Sequence, residues 1–385
     1  SHALQIRTAR SFGTGDTVFR KSVLASGLGI SSFIGVAGIA LIFLFGQTLL
    51  EAMAPSDEVA VLAWKYLRIF TIVIAGESIG QSLSSYFNGC GKTRVPLIGY
   101  VLSFPINIVS SIVLIHGLWG FPAFGVTGAA MGSALAISLQ AIYFVIQLLR
   151  SDSKLLRTPG WRQGTYSLST WKHLIFALPI AATFISSTFA SHVCSLIYAQ
   201  MNLYAFAALT LIAPWNMVLG QISMQWTQAT GILVAQLLGK EASENTLDSF
   251  LRIAWRWALV AAAIMSVGFL VFSLSVDVLY DDLTTETHAI LLGFLPLLLI
   301  TPFLRTSNAV CGNTLRASGD TIYVMHIFVW SQWLFRVPAT ALLVLYFEAS
   351  AFWVLALILA EEIIKFPAFH RRLLKGDWMR AKIRD

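Results

Sequence analysis

The stretch FNGCGKTRVP, Phe87–Pro96, places two glycines, two basic residues and a proline between two long apolar runs. A second stretch, LRASGDTIYV at Leu315–Val324, occupies the same kind of corner later in the chain. Glycine often ends a helix, because it adopts the left-handed backbone conformation without strain. Each corner therefore predicts the end of one apolar helix and the start of the next.

The composition around these corners is that of a membrane protein. Of the 385 residues, 57% are hydrophobic and only 12% are charged, and the mean hydropathy is +0.73. An apolar run of about 18 residues or more can cross the hydrocarbon core of a bilayer as a helix, and these runs lack the alternating polar face of a barrel strand. The predicted fold class is an all-α integral membrane protein, a polytopic helical bundle. Ten spans are predicted, at 24–49, 59–86, 96–119, 125–149, 171–200, 203–236, 251–276, 288–312, 322–346 and 350–369.

The chain has a net charge of +7, and its charged residues are distributed unevenly among the loops. Lys and Arg crowd every second loop and the C-terminal tail, whereas the intervening loops carry Asp and Glu. This positive-inside pattern predicts that both ends of the chain face the cytoplasm, and it explains the basic residues without a nucleic-acid partner. The three cysteines, Cys90, Cys194 and Cys311, are scattered and have no His at ligand spacing, so neither a disulfide framework nor a metal site is predicted.

The two corners align at a shift of 228 residues, which places Gly91 on Gly319. Residues 8–16 and 234–242 match at nearly the same shift. Two anchors at one period imply an internal duplication, and transporters are often built from helical repeats. Four spans precede the middle of the chain and six follow it, so the first repeat lacks two leading helices. The predicted organisation is an N-lobe at 1–150, a cytoplasmic linker at 151–170 and a C-lobe at 171–385.

Gly89–Ala136 reads GCGKTRVPLIGYVLSFPINIVSSIVLIHGLWGFPAFGVTGAAMGSALA, which joins a glycine elbow, an Asn-bearing helix and a Gly-Phe-Pro loop. Shorter segments, ALQIRTARSFGTGD, YLRIF, ALPIAATF and TLRASGDT, are distributed along the rest of the chain. In this order they resemble the multidrug and toxic compound extrusion (MATE) family of transporters, over essentially the whole chain.

That resemblance implies a twelve-helix protein of two lobes, which takes in H⁺ or Na⁺ and exports amphipathic, often cationic, small molecules by alternating access. It implies a monomeric antiporter of the bacterial inner membrane, surrounded by lipid, with no enzymatic activity and no cofactor besides the coupling ion. The segment 3–13 resembles the end of the family's second helix, so the first helix and most of the second are missing here. The family's N-lobe cation site uses an acid on that first helix.

Five polar residues of the N-lobe are candidates for binding the coupling cation. Glu77 lies deep in an apolar run, where an ionised carboxylate is costly, so it is either a group that takes up a proton or a structural partner of a buried base or polar cluster. Asn107 matches the family's fifth-helix Asn, and Ser111 lies one turn later on the same face. Ser84 and Ser133 fall near polar positions of the same pocket in the family. The alternative for these polar residues is helix association through hydrogen bonds.

Four residues of the C-lobe are candidates for the substrate cleft: Arg305, Arg336, Trp226 and Gln225. Arg305 is the counterpart of Glu77 under the 228-residue shift. It can bind an anionic substrate, serve as a built-in positive charge, or pair with Glu77 or with helix carbonyl groups. By resemblance it stands where sodium-coupled members carry Asp, and Ser186 and Ser187 stand where they carry Glu. These substitutions argue against a sodium site in the C-lobe and favour H⁺ as the coupling ion.

Two further spacings predict helix contacts. Glu361 and Lys365, near the cytoplasmic end of the last run, have the i, i+4 spacing of an ordinary intrahelical ion pair. Gly128 and Gly132 have the spacing that lets two membrane helices approach closely.

Three alternatives to the antiporter stay open. A lipid or lipid-linked-sugar flippase of the same superfamily needs a basic cleft, to which Arg305 and Arg336 contribute. An inactive truncated remnant is consistent with the missing leading helices. An intramembrane enzyme is disfavoured, because the sequence contains no HExxH, no GxSxG and no paired membrane aspartates.

Overall fold

The chain folds into α-helices, and the computed structural model describes residues 1–151, 165–280 and 283–380. No strand occurs among these residues, which confirms the predicted all-α class. The α-helices are α1 His2–Gly13, α2 Thr17–Met53, α3 Asp57–Gly89, α4 Arg94–His116, α5 Val126–Ser151, α6 Thr165–Tyr198, α7 Leu203–Gly239, α8 Glu244–Leu274, α9 Val276–Leu279, α10 Thr285–Gly293, α11 Leu295–Ser318, α12 Thr321–Trp330, α13 Val337–Ala341 and α14 Ala351–Leu374.

Nine spans within the described residues are long and apolar enough to cross a membrane. They coincide with the first nine predicted runs, with ends that shift by several residues. The tenth predicted run forms α14, whose 24 residues give a length of about 36 Å at the rise of an α-helix. It is not among the nine, because three charged residues, Glu361, Glu362 and Lys365, lie within its apolar stretch.

The helices form two compact units, Ser1–Ile175 and Phe176–Asp385. The first unit ends within α6. Most of the predicted linker at 151–170 lies outside the described residues, and from Thr165 onward this segment is already helical.

The second unit repeats the helix order of the first. The helices α8, α10 and α12 begin 227, 228 and 227 residues after α2, α3 and α4. In the second unit, α10 and α11 together occupy the place that the single long helix α3 has in the first. The helix starts therefore keep the shift that the two sequence corners predict.

The two corners adopt the same backbone geometry. Gly91 has a φ of 72° and Gly319 a φ of 101°, both in the left-handed region that glycine tolerates. In each corner the amide after the glycine donates to the carbonyl five positions earlier, at 2.9 Å. This is the Schellman motif, which satisfies carbonyl groups at the ends of α3 and α11 and turns the chain into the next helix.

Glycines bring α4 and α5 into close contact. A Cβ atom added to Gly128 would lie 2.6 Å from the carbonyl of Leu114, and one added to Gly132 would overlap Ser111. The close approach predicted from the glycine spacing is confirmed. Because α4 and α5 also form part of a cavity wall, this contact fixes the geometry of the candidate site.

The helix that follows the second corner contains two π-helical segments, Ser331–Arg336 and Leu342–Tyr346, on either side of α13. Pro338 has no amide hydrogen, so a regular ladder of hydrogen bonds cannot continue through it. π-Helical turns are frequent at functional sites. The first segment carries polar side chains that bond to α6 and α14.

Candidate functional site

The first unit contains a cavity of about 700 Å³ between α3, α4 and α5. This volume is typical of small-molecule pockets. The wall is mostly apolar and aromatic, with one carboxylate. Its lining residues are Glu77, Tyr100, Val101, Ser103, Phe104, Pro105, Asn107, Ala136, Ile137 and Gln140.

Glu77 is the carboxylate in this wall, and its side chain is half-buried. Within the described part of the first unit it has no ion pair and no hydrogen bond. The predicted alternative, a structural partner of a buried base or polar cluster, therefore finds no bonded partner among these residues. The carboxylate is available to a group that enters the cavity.

Four of the five predicted cation-site residues are joined to this wall. The Asn107 Nδ2 donates to the Ser133 Oγ at 3.2 Å and links α4 to α5. The Tyr100 hydroxyl donates to the Ser84 Oγ at 3.4 Å and links α3 to α4. Asn107 and Glu77 line the cavity directly, whereas the two serines position wall residues. Ser111, on α4, packs against Gly132 of α5 and does not line the cavity.

Gln140 is a wall residue that the sequence reasoning missed. Its side chain is 6% exposed, and its Nε2 has no hydrogen-bond partner within the described residues. A buried polar group without a partner costs about 1–3 kcal/mol, so an acceptor on a bound compound would find a donor here. The available signal was its place two turns after Ser133, on the same face of α5.

The second unit contains a cluster of four charged residues, Arg336, Glu361, Glu362 and Lys365, called the α14 network below. The Lys365 Nζ lies 2.8 Å from the Glu362 Oε1 and 3.3 Å from the Glu361 Oε1. The Arg336 Nη1, on the first π-helical segment, lies 3.2 Å from the Glu361 Oε2. The network therefore contains two cations and two carboxylates.

The carboxylates and the lysine of this network are buried near the middle of α14, with exposed fractions of 2% for Glu361, 5% for Glu362 and 4% for Lys365. The predicted Glu361–Lys365 pair is confirmed, but its placement near the helix end and its ordinary character are wrong. Neutral groups from other helices complete the network. The Asn308 Nδ2 donates to the Glu362 Oε2 at 2.8 Å, and the Ser331 Oγ donates to the Glu361 Oε1 at 3.1 Å.

The two arginines predicted for a substrate cleft have different environments. Arg336 belongs to the α14 network and also donates from its Nη2 to the Ser191 Oγ at 3.3 Å. Arg305 is exposed, and within the described residues of the second unit it has no ion pair and no hydrogen bond. It lines a small cavity of about 20 Å³ between α7, α8, α11 and α14.

The other two cleft candidates lie elsewhere in the second unit. The Trp226 indole donates to the Ala254 carbonyl of α8 at 3.0 Å, and its ring centroid is 6.4 Å from that of Trp257. Gln225 is exposed and donates to the Gln221 Oε1 at 3.2 Å. No hydrogen bond or ring interaction among the described residues joins either of them to the two arginines.

Ser186 and Ser187 form a neutral cluster with the first π-helical segment. The Ser186 Oγ donates to the Gln332 Oε1 at 3.1 Å and accepts from the Trp333 indole at 2.9 Å. The Gln332 Nε2 donates to Ser187. The two serines therefore bond to the Gln332 amide and the Trp333 indole, and no carboxylate is among their partners in the described residues.

The family model MatE matches residues 1–113 and 179–342. The chain belongs to the MatE family. The matched ranges of this MatE chain include Glu77 and Asn107 in the first unit and Arg305 and Arg336 in the second.

This MatE chain is 25% identical to the uncharacterized transporter YisQ of Bacillus subtilis, over 91% of the chain and 77% of that protein. It is 24% identical to the probable multidrug resistance protein NorM of Thermotoga maritima, over 98% of the chain and 81% of that protein. Its fold resembles the outward-facing structure of a multidrug resistance MATE family transporter of the MOP superfamily. That similarity has a TM-score of 0.84 at 17% identity, over 99% of this chain and 83% of the other. The resemblance predicted from the motifs is confirmed, and the protein is a multi-pass membrane transporter and not an enzyme.

Proposed function

We propose that the protein is a secondary active antiporter that exports amphipathic cationic compounds in exchange for H⁺ or Na⁺ by alternating access. The cavity of the first unit carries this proposal. Its apolar and aromatic wall suits a hydrophobic body, and its volume suits a small molecule. The Glu77 carboxylate, which has no partner among the described residues of its unit, suits a positive charge. Aromatic rings such as Phe104 and Tyr100 add further attraction for cations.

A single carboxylate is enough to couple the two fluxes. Glu77 either binds the coupling cation or faces a cationic compound, and one negative charge satisfies only one of them at a time. Each ligand shifts the equilibrium between the inward-facing and outward-facing conformations only by the difference between its affinities for the two. H⁺ is the favoured coupling ion, because Arg305, Ser186 and Ser187 stand where sodium-coupled members of the family carry carboxylates.

The orientation is part of the same proposal. Basic residues in alternate loops support a bacterial inner-membrane protein with both ends and the inter-lobe linker in the cytoplasm. The functional unit is proposed to be a monomer. A flippase is less well supported, because Arg336, one of the two arginines expected to make its cleft basic, is paired with Glu361.

The test is transport by the purified chain in liposomes, with tetramethylrhodamine methyl ester as an amphipathic cation. A pH gradient and a Na⁺ gradient are imposed separately, and dye movement is followed by fluorescence. We expect movement against the dye gradient under the pH gradient, and at least a tenfold lower rate for Glu77→Gln, which corresponds to about 1.4 kcal/mol.

Glu58→Gln is the matched control, since Glu58 is an exposed carboxylate in the first turn of the same helix. It should transport at the wild-type rate. If neither gradient moves the dye, or if Glu77→Gln equals the wild type at a saturating gradient, the proposal is wrong.

A further inference from the structure

The two repeats carry matching groups of exposed apolar side chains at one end of their helices. Residues 117–125, between α4 and α5, are called the first aromatic segment, and residues 345–353 are called the second. The second follows the first by 228 residues, the shift that also separates the two glycine corners. Each segment exposes four large apolar side chains, which are Leu118, Trp119, Phe121 and Phe124 in the first and Leu345, Tyr346, Phe347 and Trp353 in the second.

These exposed rings form apolar surfaces with almost no charge. The side chain of Trp119 is 79% exposed and that of Tyr346 is 77% exposed, so the chain itself covers little of either ring. No charged residue occurs at 117–125, and Glu348 is the one charged residue at 345–353. Exposed apolar side chains that are grouped in this way mark an interaction surface.

Backbone hydrogen bonds fold each segment back onto the end of the preceding helix. In the first segment, the Phe124 amide donates to the Leu114 carbonyl of α4 at 2.9 Å. In the second, the Ala349 amide donates to the Leu343 carbonyl of the second π-helical segment at 2.8 Å. The exposed rings are therefore held close to the last helical turn and do not extend far beyond it.

Each segment also contains a non-glycine residue in the left-handed backbone region. Trp119 has a φ of 59° and Glu348 a φ of 48°. This conformation is uncommon for residues other than Gly, Asn and Asp, and it persists where the surrounding structure fixes it. A tight turn is therefore a defined feature of both segments.

The lengths of the spans place both segments at the boundary of the hydrocarbon layer. The 23 residues of α4 give a length of about 35 Å, and the hydrocarbon core of a bilayer is about 30 Å thick. The span that reaches the second segment, Thr321–Tyr346, has 26 residues. Trp and Tyr are enriched at the boundary between membrane and water. A phospholipid leaflet is therefore the partner that fits the exposed rings in both position and chemistry.

The exposed rings are specific to these two equivalent segments. The start of α3 lies at the same end of the first unit, because α3 and α4 are consecutive helices joined at the glycine corner. The turn before α3, residues 54–56, contains no aromatic residue and is followed by Asp57 and Glu58. The equivalent helix of the second unit, α10, carries Glu286 in its first turn. The turns that precede α3 and α10 thus lack the apolar surface of the two aromatic segments.

We propose that the two aromatic segments anchor the protein in the interfacial layer of a phospholipid leaflet, with their exposed rings below the phosphate groups. Under the proposed orientation this is the extracytoplasmic leaflet. Interfacial anchors reach about 5–10 Å into the boundary between headgroups and acyl chains. The exposed Glu348 carboxylate remains at the level of the headgroups, because a charge is costly in hydrocarbon. This lipid contact goes beyond the proposed transport function and does not depend on the compound carried.

The test measures the depth of a fluorescent label in each segment. Ala123→Cys and Ser350→Cys introduce exposed labelling sites and keep all of the exposed rings, and the three native cysteines are buried. Each full-chain variant is labelled with a thiol-reactive nitrobenzoxadiazole dye and reconstituted in phosphatidylcholine liposomes. One sample contains lipid brominated near the top of its acyl chains, and another contains iodide on both sides of the membrane. Brominated lipid should remove most of the fluorescence at both positions, and iodide should remove little.

Glu58→Cys and Glu286→Cys are the matched controls, because these exposed residues are 228 positions apart and begin equivalent helices. Their labels should be quenched mainly by iodide. Trp119→Asn/Phe121→Ser in the Ala123→Cys variant removes two rings of the first segment, and Asn tolerates the left-handed backbone conformation. Iodide quenching at position 123 should then rise to the level of the controls.

Three results overturn the proposal. Iodide quenching at position 123 or 350 that equals the controls places that segment in water. Unchanged quenching in Trp119→Asn/Phe121→Ser shows that these rings do not anchor the first segment. Protection from both quenchers that disappears when the protein is diluted with excess lipid identifies a second copy of the chain as the partner.

Two features keep the experiment decisive. If the double variant does not fold, Trp119→Asn and Phe121→Ser are measured singly, and an unchanged label depth in both also overturns the anchor. No transported compound is present, so the result does not depend on Glu77. Failure of the antiporter proposal in the dye-transport assay therefore leaves the lipid contact to be decided by quenching alone.

Discussion

The ammonium of Lys365 lies 2.8 Å from the Glu362 carboxylate, and both side chains are almost completely buried in the middle of the last long helix. Partners from α11 and from the first π-helical segment complete this network. Three elements of the second unit are therefore joined by buried charges. Since a buried ion pair resists the loss of either partner, α11, the π-helical segment and α14 are expected to behave as one body.

The first prediction concerns the lysine of this network. Lys365→Met removes the central cation and leaves the Glu362 carboxylate with Asn308 as its remaining hydrogen-bonded partner. Because an uncompensated buried charge is left behind, the free energy of unfolding should fall by about 3–5 kcal/mol. Thermal denaturation of the purified protein in detergent measures the change.

Two variants serve as controls for Lys365→Met. The double variant Lys365→Met/Glu362→Gln removes one charge of each sign and keeps the Arg336–Glu361 pair, so it should be more stable than the single variant. Asp248→Asn breaks only an exposed pair with Arg252 and should cost at most about 1 kcal/mol. A loss for Lys365→Met no larger than that of Asp248→Asn would contradict a stabilising network.

The second prediction concerns the contact between α4 and α5. A Cβ at Gly128 would lie 2.6 Å from the Leu114 carbonyl, so Gly128→Ala should destabilise the protein by about 1–3 kcal/mol through overpacking. Gly38 lies within α2 with open space around it. Gly38→Ala should therefore stabilise by up to about 1 kcal/mol through helix propensity. Melting temperatures that shift in the same direction for both variants would be inconsistent with the close helix contact.

The apolar spans, the two glycine corners and the close contact between α4 and α5 could be predicted, because each depends on a local property of the sequence. An apolar run of sufficient length has few alternatives in a membrane. A glycine between two such runs supplies the φ of 72° at Gly91 that closes α3. The small residues at 128 and 132 lie on one face of a helix, so their spacing alone indicates a close contact.

The α14 network could not be predicted, because its partners are remote in the sequence. Glu361 and Lys365 are visible as an i, i+4 pair, but Arg336, Ser331 and Asn308 come from other elements. The same limit applies to Trp226, whose aromatic ring suggested a cleft. Its indole bonds to the α8 backbone, and only the packing of α7 on α8 reveals this.

The third prediction compares the two corner glycines. Asn tolerates the left-handed region near φ of about 57°. Gly91 has a φ of 72°, close to that region, whereas Gly319 has a φ of 101°. Gly91→Asn should cost about 1 kcal/mol or less, and Gly319→Asn about 2 kcal/mol, since a non-glycine residue is strained there. The two melting temperatures measured under the same conditions give the order, and equal shifts would show that the corners do not differ in strain.

The fourth prediction concerns the thiol of Cys90, which lies at the first corner between α3 and α4. Burial raises the pKa of the Cys90 thiol above its ordinary value, although Tyr86, Arg20 and Lys92 act in the opposite direction. The thiolate is the reactive form, and a raised pKa means less thiolate at any given pH. Iodoacetamide should therefore modify folded Cys90 slowly at neutral pH, with a rate that rises only above the usual thiol range near pH 8.5.

Lys92→Cys in a Cys90→Ser background provides the matched control, because residue 92 is exposed and lies two positions away at the same corner. Cys194 and Cys311 are also buried, so they should contribute little background. Peptide mass spectrometry after timed alkylation should give a much faster reaction at position 92 than at position 90, and unfolding in detergent with urea should make the two rates similar. Equal rates in the folded protein would mean that the corner does not bury Cys90.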